Sequence, residues 1–484
     1  MPIYDFNNNV QGINFEYDYC IIGGGVVGLS TAVKLAQKLK NKSIVVLESG
    51  GESPGKAQIA NDGEIIGNTA YSLISSRMRG LGGTQLVWGG NSRPFSPYDF
   101  EERHWIANSG WPISYSEYYK YLKSATIDLD IDNSDWSYKH PELKHIKLLH
   151  KDFFHHTHYK LSPQIVHNSS RATGTFYQSK NKLIKSLSNL HIIINSTVSN
   201  LEFNQDNSIF SGLVIKNLIN KSAKIKSKNF IFASGALENA RLLKYFCDLD
   251  HGPKLECYDS IGRYFMEHPH RRINLILSPD EVKFKFNDYF GKIIGSSLHQ
   301  ARFRLSDTMQ SKSLLNSIDV SILAPKRKKL FKNIFSPEHM LEVVLLMEQE
   351  PNIFNRIELT TEKDIFGIPK IKLHWKLSEQ DWKSLESVSS IVDRFIGANN
   401  IGRSKSIKLN RKQIIRGGHH HMGTTRMGLT PKNSVVDSNC KVFGIKNVYM
   451  SGGSVFTTSG SANPTINMLA LAHRLVDYLV KNEY

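Results

Sequence analysis

One stretch near the start of this 484-residue chain, from Tyr19 to Glu48, constrains the fold more than any other. Two short apolar runs, a glycine-rich hexapeptide and a helical period of apolar residues predict a strand, a glycine-rich turn, a helix and a second strand. The elements are, in order, a strand at 19–22, the turn GGGVVG at 23–28, a helix over 29–39 and a strand at 44–47. This order is typical of a βαβ unit that binds a dinucleotide.

Each residue of this fingerprint has a physical role. Gly23 allows a tight turn, Gly25 lets backbone approach a pyrophosphate, and Gly28 lets the helix and strand pack closely. The helix N-terminus then faces the phosphate charge. Glu48 follows Gly28 by 20 residues, the spacing expected for a carboxylate that binds an adenosine ribose. Glu48 argues against a 2′-phosphate, but the fingerprint does not choose between FAD and NAD.

A second glycine block, RMRGLGGTQLVWGGNSRP, occupies residues 77–94. Ordering glycine costs much backbone entropy, so such a block is useful where backbone lies against a flat or charged ligand. A glycine-rich turn between two elements is the alternative interpretation.

The C-terminal quarter contains HHHMGTTRMG at 419–428 and SGSANPT at 459–465. A neutral imidazole at His420 can accept the proton of an alcohol, and the amide of Asn463 can hold the same oxygen. We expect no metal site, because His419 and His421 face away from His420 in an extended segment and no carboxylate or cysteine lies at ligand spacing. A structural histidine and an N-cap asparagine are the alternatives for these two residues.

With these motifs in place, the chain resembles the glucose–methanol–choline (GMC) flavin oxidoreductases, and most of all their branch of pyranose oxidases and FAD-dependent sugar dehydrogenases. The matching pieces extend over nearly the whole chain. Besides the motifs above and PYDFEERHWIANSGWPIS, they are FIFASGALENARLL, IGRYFMEHP and EQEPNIFNRIEL. SGALENARLL lacks the full second signature of the family.

The resemblance implies an α/β fold: a discontinuous Rossmann-type FAD-binding domain with an inserted α+β substrate domain on a mostly antiparallel sheet. We expect FAD-binding parts at 1–150, 190–270 and 410–484, and a substrate domain at 271–409 to which 151–189 partly contributes. The catalytic residues implied are His420 and Asn463. The cofactor-binding residues implied are Gly23, Gly25, Gly28, Glu48, Arg79, Gly83, Thr84, Gly89, Gly90, Asn91, Val198, Ser234, Gly453, Ser454, Pro464 and Thr465.

The expected function is oxidation of a CH–OH group of a sugar, polyol or sugar-like substrate. His420 acts as the base, the hydride passes to flavin N5, and the electron acceptor is unknown. Relatives with covalent flavin have a histidine where this chain has Val87, so the resemblance implies non-covalent FAD. The first alternative is a GMC-fold enzyme that acts on a hydrophobic alcohol or catalyses non-redox chemistry. The second is a basic membrane- or nucleic-acid-binding protein with a degenerate flavin fold.

Composition bears on partners and location. Residues 326–329 (KRKK) are the densest cluster in a chain with a formal net charge of +17, and apolar Leu330, Phe331, Ile334 and Phe335 follow. Such a segment can rest on an anionic bilayer, which suggests peripheral contact with the inner membrane face and an anionic or lipid-linked substrate. A solvated charge run is the alternative, and no nucleic-acid module is recognisable.

The sequence shows no transmembrane run and no signal peptide, and its four cysteines (Cys20, Cys247, Cys257, Cys440) are scattered. We therefore expect a cytoplasmic protein.

Overall fold

The architecture comes from a computed structural model that describes residues 3–8, 15–67, 71–131, 136, 153–161, 174–279, 292–294, 297–323, 340–411 and 416–483. The basic segment at 326–335 lies outside the described residues, so its predicted membrane contact stays a prediction. Among the described residues, no helix is long and apolar enough to cross a bilayer.

The described strands form three sheets. In chain order they are β1 (Ile3–Asp5), β2 (Glu16–Ile22), β3 (Ile44–Leu47), β4 (Gly63–Gly67), β5 (Asn91–Ser92), β6 (Phe154–Leu161), β7 (Leu190–Ile194), β8 (Thr197–Phe203), β9 (Phe210–Lys216), β10 (Ser222–Phe232), β11 (Pro269–Leu277), β12 (Lys292–Ile294), β13 (Ser297–Leu305), β14 (Ile318–Leu323), β15 (Met340–Met347), β16 (Arg356–Lys363), β17 (Pro369–Trp375), β18 (Arg403–Ser406), β19 (Arg416–Gly417) and β20 (Val448–Met450).

The described helices are mostly short, and four of them are longer, with 12 to 20 residues. In chain order they are α1 (Val26–Lys38), α2 (Leu73–Ser76), α3 (Tyr115–Tyr119), α4 (Leu122–Asp128), α5 (Phe176–Ser179), α6 (Asn181–Ser186), α7 (Ala236–Cys247), α8 (Asp307–Ser313), α9 (Glu379–Ala398) and α10 (Thr465–Lys481).

The first sheet has eight strands in the order β1-β7-β3-β2-β10-β9-β8, with β20 beside β10. Six neighbouring strands pair in parallel: β1, β7, β3, β2, β10 and β20. Strands β9 and β8 extend the sheet in antiparallel pairing beyond β10. All four residues of β3 are buried, as expected for a parallel strand covered on both faces. This sheet confirms the Rossmann-type fold, and its strands come from separate parts of the chain.

The predicted βαβ unit is present with one shift. The strand at 44–47 is confirmed, and the strand at 19–22 is the end of the longer β2. The helix begins at Val26 rather than at residue 29, because the tight turn needs only residues 23–25. Gly28 therefore lies in the first turn of α1.

The second sheet is antiparallel throughout and has nine strands, in the order β18-β11-β15-β14-β13-β6-β5, with β12 beside β13 and β19 beside β11. Helix α9 covers one face and encloses a second hydrophobic core. Its start is fixed by a capping box between Ser378 and Asp381. The mostly antiparallel sheet of the predicted substrate domain is thus confirmed.

A small third sheet joins β16, β17 and β4. Strand β17 lies within the range predicted for the substrate domain, 271–409, but it pairs with β16 and, in parallel, with β4 rather than with the large antiparallel sheet. Its buried residues Ile371, Leu373 and Trp375 pack into the core of the nucleotide-binding part. The predicted range 271–409 thus contributes to both cores.

Candidate active site

One cavity connects the predicted cofactor residues with the predicted acid–base pair. It has a volume of about 330 Å³, with Glu48 and Val198 among its lining residues as well as His420 and Asn463. The lining comes from the turn after β2, the second glycine block, the turn after β10, the histidine loop and the start of α10. The topology therefore brings widely separated segments of sequence to one site.

The glycine turn after β2 is shaped by close backbone contacts. Gly23 has φ +115°, and a Cβ atom there would lie 2.6 Å from the carbonyl oxygen of Ala233. A Cβ atom on Gly28 would lie 2.0 Å from the carbonyl oxygen of Gly23. Gly28 does not line the cavity, so its role is the close packing that the fingerprint predicts rather than ligand contact.

The second glycine block packs directly on the first. The backbone N–H of Gly82 donates to the carbonyl oxygen of Gly24 at 2.9 Å, and a Cβ atom on Gly83 would lie 2.9 Å from the Cα atom of Gly25. Both Gly25 and Gly83 line the cavity. The two blocks together thus form one wall in which backbone can approach a ligand closely.

Glu48 lies at the end of β3, as predicted, and is buried. Its carboxylate accepts hydrogen bonds from the N–H groups of Gly24 at 2.7 Å and Gly50 at 2.8 Å. Burial raises the pKa of Glu48 in spite of these bonds. A carboxylate has about four acceptor positions, so it retains the capacity to accept from ribose hydroxyls.

Arg79 faces the cavity as part of a buried ion cluster. Its guanidinium pairs with Glu238 at 3.0 Å, and Glu238 also pairs with Arg77 at 3.4 Å and Arg241 at 3.2 Å. The three arginines hold the pKa of Glu238 at about 2 against the opposing effect of burial. The Nε atom of Arg77 is buried and has no hydrogen-bond partner among the residues that the structure describes.

The structure brings together almost all of the predicted site residues. Those that line the cavity are Gly23, Gly25, Glu48, Arg79, Gly83, Thr84, Gly89, Gly90, Asn91, Val198, Ser234, His420, Gly453, Asn463, Pro464 and Thr465. Ser454 does not line it: its hydroxyl accepts from the amide of Asn239 at 2.9 Å, behind the cavity wall.

The histidine loop, residues 418–421, lies between two antiparallel backbone pairings. On one side β19 pairs with β11, and on the other Met266 and Met422 exchange two backbone hydrogen bonds of 3.0 Å. The loop is not extended throughout as predicted, because His419 has φ +57°. The predicted division of the side chains nevertheless holds: the rings of His419 and His421 contact Tyr71, whereas the His420 ring contacts His268.

The candidate acid–base pair is formed. The Nδ2 atom of Asn463 lies 3.5 Å from the Nε2 atom of His420. Helix α10 has Pro464 as its N-cap, so Asn463 precedes the helix and is not the cap. The Oδ1 atom of Asn463 is buried and has no hydrogen-bond partner among the described residues. Burial, followed by the neighbouring histidines, lowers the pKa of His420 well below its usual range. His420 is therefore neutral at neutral pH and able to accept a proton.

Three supporting residues were not predicted: Tyr71, Glu267 and His268. Glu267 is buried, and its carboxylate accepts from the hydroxyl of Tyr71 at 2.9 Å and from the N–H groups of His268 at 2.9 Å and Gly418 at 3.0 Å. Burial raises the pKa of Glu267 to about 7. The sequence did contain a signal, since Glu267 and His268 belong to the matched piece IGRYFMEHP. The contacts themselves are long-range: Gly418 and Tyr71 are separated from Glu267 by 151 and 196 positions in the chain.

The residues present fit FAD. The glycine walls admit close backbone approach, Glu48 and Val198 line the cavity together with the glycine turn, and α10 begins at the cavity with Thr465. The positive end of the helix dipole favours negative charge on a bound group. The buried Nε atom of Arg77 and Oδ1 atom of Asn463, which have no partner within the described part of the chain, belong to residues that line the cavity and are further polar groups for a ligand to satisfy.

Two family models match the chain. Residues 351–472 match the GMC oxidoreductase C-terminal domain, and residues 18–111 match the FAD-dependent oxidoreductases. The first match contains the histidine loop and Asn463, and the second contains both glycine blocks.

Curated relatives are distant. The chain is 25% identical to a 2-methyl-1,2-propanediol dehydrogenase of Mycolicibacterium austroafricanum over 53% of this chain and 48% of that protein. That alignment spans about half the length of the relative. A longer alignment, with the fructose dehydrogenase large subunit of Gluconobacter japonicus, has 21% identity over 86% of this chain and 82% of that protein.

Among solved structures, a formate oxidase has the same fold. The TM-score is 0.61 with 13% identity, over 97% of this chain and 98% of that chain.

Proposed function

We propose that this chain is an FAD-dependent oxidoreductase of the GMC family, as its two family matches and its fold indicate, and that it oxidises a CH–OH group of a sugar, a polyol or a sugar-like substrate. The observation that carries this proposal is the pairing of His420 with Asn463 in the cavity that the dinucleotide fingerprint also lines. A neutral base and an amide donor, side by side, are what an alcohol needs in order to lose its proton.

The residues of this chain handle the hydroxyl group. An alcohol oxygen in the cavity, beside both side chains, accepts a hydrogen bond from Asn463 Nδ2 and donates its proton to His420 Nε2. Since burial lowers the pKa of His420 well below its usual range, the ring is unprotonated at neutral pH and can accept this proton. When bound, FAD supplies the acceptor for the hydride of the carbinol carbon.

The helix α10 and the ion cluster set the electrostatics around the cofactor. Thr465, at the start of α10, lines the cavity, so the positive end of the helix favours negative charge on the cofactor as it is reduced. Arg77 lines the same cavity, and the cluster to which it belongs has three guanidinium groups around Glu238.

The names of the relatives support the substrate class. The two relatives described above are named for a diol and for a sugar. The intact His420–Asn463 pair argues against a degenerate flavin fold. The anionic or lipid-linked substrate and the peripheral membrane contact are further parts of this proposal, and they rest on the sequence of 326–335 alone.

An anaerobic reduction assay tests the proposal. The purified protein should be yellow, and D-glucose, D-fructose or glycerol should bleach its flavin band in the absence of oxygen. Benzyl alcohol serves as the hydrophobic comparison. Bleaching by benzyl alcohol alone would favour the hydrophobic-alcohol alternative, and a colourless protein that does not bind added FAD would refute the proposal. Mixing the reduced protein with oxygen or with a quinone then identifies the type of electron acceptor.

A further inference from the structure

His268 contacts both His420 and the loop that leads to Asn463. It is fully buried, directly before β11, and it does not line the cavity. Its Nδ1 atom lies 2.9 Å from Nδ1 of His420. Its Nε2 atom lies 2.9 Å from the carbonyl oxygen of Gly460 and 3.2 Å from that of Ser459, in the loop that leads to Asn463.

These contacts determine where the ring protons are. A carbonyl oxygen only accepts hydrogen bonds, so Nε2 of His268 must have its proton to make both contacts. A neutral imidazole has one ring proton, and Nδ1 of His268 is therefore an acceptor. The proton between the two Nδ1 atoms must then belong to His420, which leaves Nε2 of His420 without one. The reverse tautomer would place lone pair against lone pair in a buried site.

We infer that His268 is a positioning residue that fixes the productive tautomer of His420, with the proton on Nδ1 and the accepting lone pair on Nε2. This inference rests on the proposed function, because it says which nitrogen atom of His420 accepts the alcohol proton. The chain of contacts is carbonyl oxygen to His268 to His420 to Asn463. A serine protease triad uses an aspartate for the same task.

An imidazole partner differs from an aspartate in charge. A carboxylate beside Nδ1 would stabilise protonated His420 and raise its pKa. Neutral His268 orients the ring without doing so. Burial remains the largest cause that lowers the pKa of His420. The titratable and charged groups around the pair are His270, His419, His421, Glu267, Arg93 near His268, and Arg302 near His270.

Ring-nitrogen NMR of the holoenzyme tests the assignment directly and needs no substrate. The protein is labelled with ¹⁵N in its histidine rings, and the signals of His420 are those lost in His420→Ala. We expect Nδ1 of His420 to be protonated and Nε2 to be unprotonated. A His420 ring with its proton on Nε2 would overturn the inference.

Two substitutions separate orientation from structure. Gln in place of His268 keeps a donor for the carbonyl oxygens of Ser459 and Gly460 but has no acceptor at the position of Nδ1. Asn keeps an acceptor at the position of Nδ1 and loses the donor. We expect His268→Gln to lower the limiting rate of flavin reduction by up to about 10⁴-fold, the cost of a wrong tautomer. Asn should retain more of the rate than Gln.

A positioning role predicts a change in the rate of flavin reduction without a change in substrate binding. Because His268 does not line the cavity, the substrate concentration at half-saturation should stay near the wild-type value in both variants. His374→Gln, at a partly exposed histidine paired with Glu358, is the matched control and should behave as wild type. Equal rates for His268→Gln and wild type, or equal losses for Gln and Asn with loss of FAD, would overturn the inference.

The outcomes distinguish the two claims. If no alcohol reduces the flavin of the wild-type protein, the proposed function fails, and the NMR experiment still decides the tautomer. If alcohols reduce the wild type and the NMR spectrum shows the opposite tautomer, only the role of His268 fails.

Discussion

Asn463 Nδ2 and His420 Nε2 lie 3.5 Å apart, although 43 residues separate them in the chain. His420 is held in the loop that follows β19, the strand that pairs with β11, and the side-chain amide of Asn467 donates to the backbone carbonyl oxygen of Asn463 at 3.1 Å. The pair is thus placed by two independent elements. A substrate oxygen that lies beside both atoms can form a hydrogen bond with each residue.

The first prediction tests the charge at this pair. Asn463→Asp places a carboxylate beside His420 and should raise the pKa of that histidine, since an opposite charge stabilises the protonated ring. The pH at which the rate of flavin reduction is half-maximal should therefore rise. Stopped-flow reduction at pH 5 to 9 measures it. The control is Asn207→Asp, in the connection between β8 and β9, because Asn207 does not line the cavity. An unchanged profile would show that Asn463 does not lie against the base in solution.

The second prediction concerns acid. Burial lowers the pKa of His268 to about 3, whereas the unfolded chain has the ordinary value of about 6.5. Below pH 6.5 the unfolded state binds more protons at this residue, so the stability that neutral His268 provides decreases as the pH falls. His268→Gln should thus destabilise the protein more at pH 7.5 than at pH 5. Urea midpoints of both proteins at both pH values measure this, and a gap that does not vary with pH contradicts it.

The third prediction concerns the link between the two cores. Arg103 and Glu348 form a buried bidentate ion pair with distances of 2.7 and 2.8 Å. Glu348→Gln leaves a buried guanidinium without its counter-charge and should lower the free energy of unfolding by about 3–5 kcal/mol. Arg411→Gln removes an exposed pair with Glu379 and Glu386 and should change the urea midpoint little. Similar losses in the two variants would argue against the buried pair.

The motifs near the chain ends could be predicted from sequence because each is local. The strand–turn–helix at 19–39 follows from apolar period and glycine, and His420 and Asn463 were identified from residue type within a family pattern. The roles of Glu267, His268 and Tyr71 could not be predicted, since they depend on long-range contacts that spacing does not encode. The place of β17 was missed for the same reason: an alternating strand fits either sheet, and tertiary packing decides.

The fourth prediction concerns the cofactor. Val87 lines the cavity and has no nucleophilic atom, and the family resemblance implies that a histidine that bonds to the flavin would lie at this position. Acid precipitation of the purified protein should therefore release the yellow colour into the supernatant. Flavin retained by the washed pellet would contradict non-covalent binding.

The most direct test of the account compares His420→Ala with His419→Ala by anaerobic stopped-flow, using the sugar or polyol that reduces the wild-type flavin fastest. His420→Ala should lower the rate of flavin reduction by roughly 10²–10⁴-fold, the usual contribution of a general base, with normal FAD content. His419→Ala should lose much less, because its ring contacts Tyr71 rather than Asn463. Equal losses in the two variants, or wild-type reduction by His420→Ala, would contradict the assignment of His420 as the base.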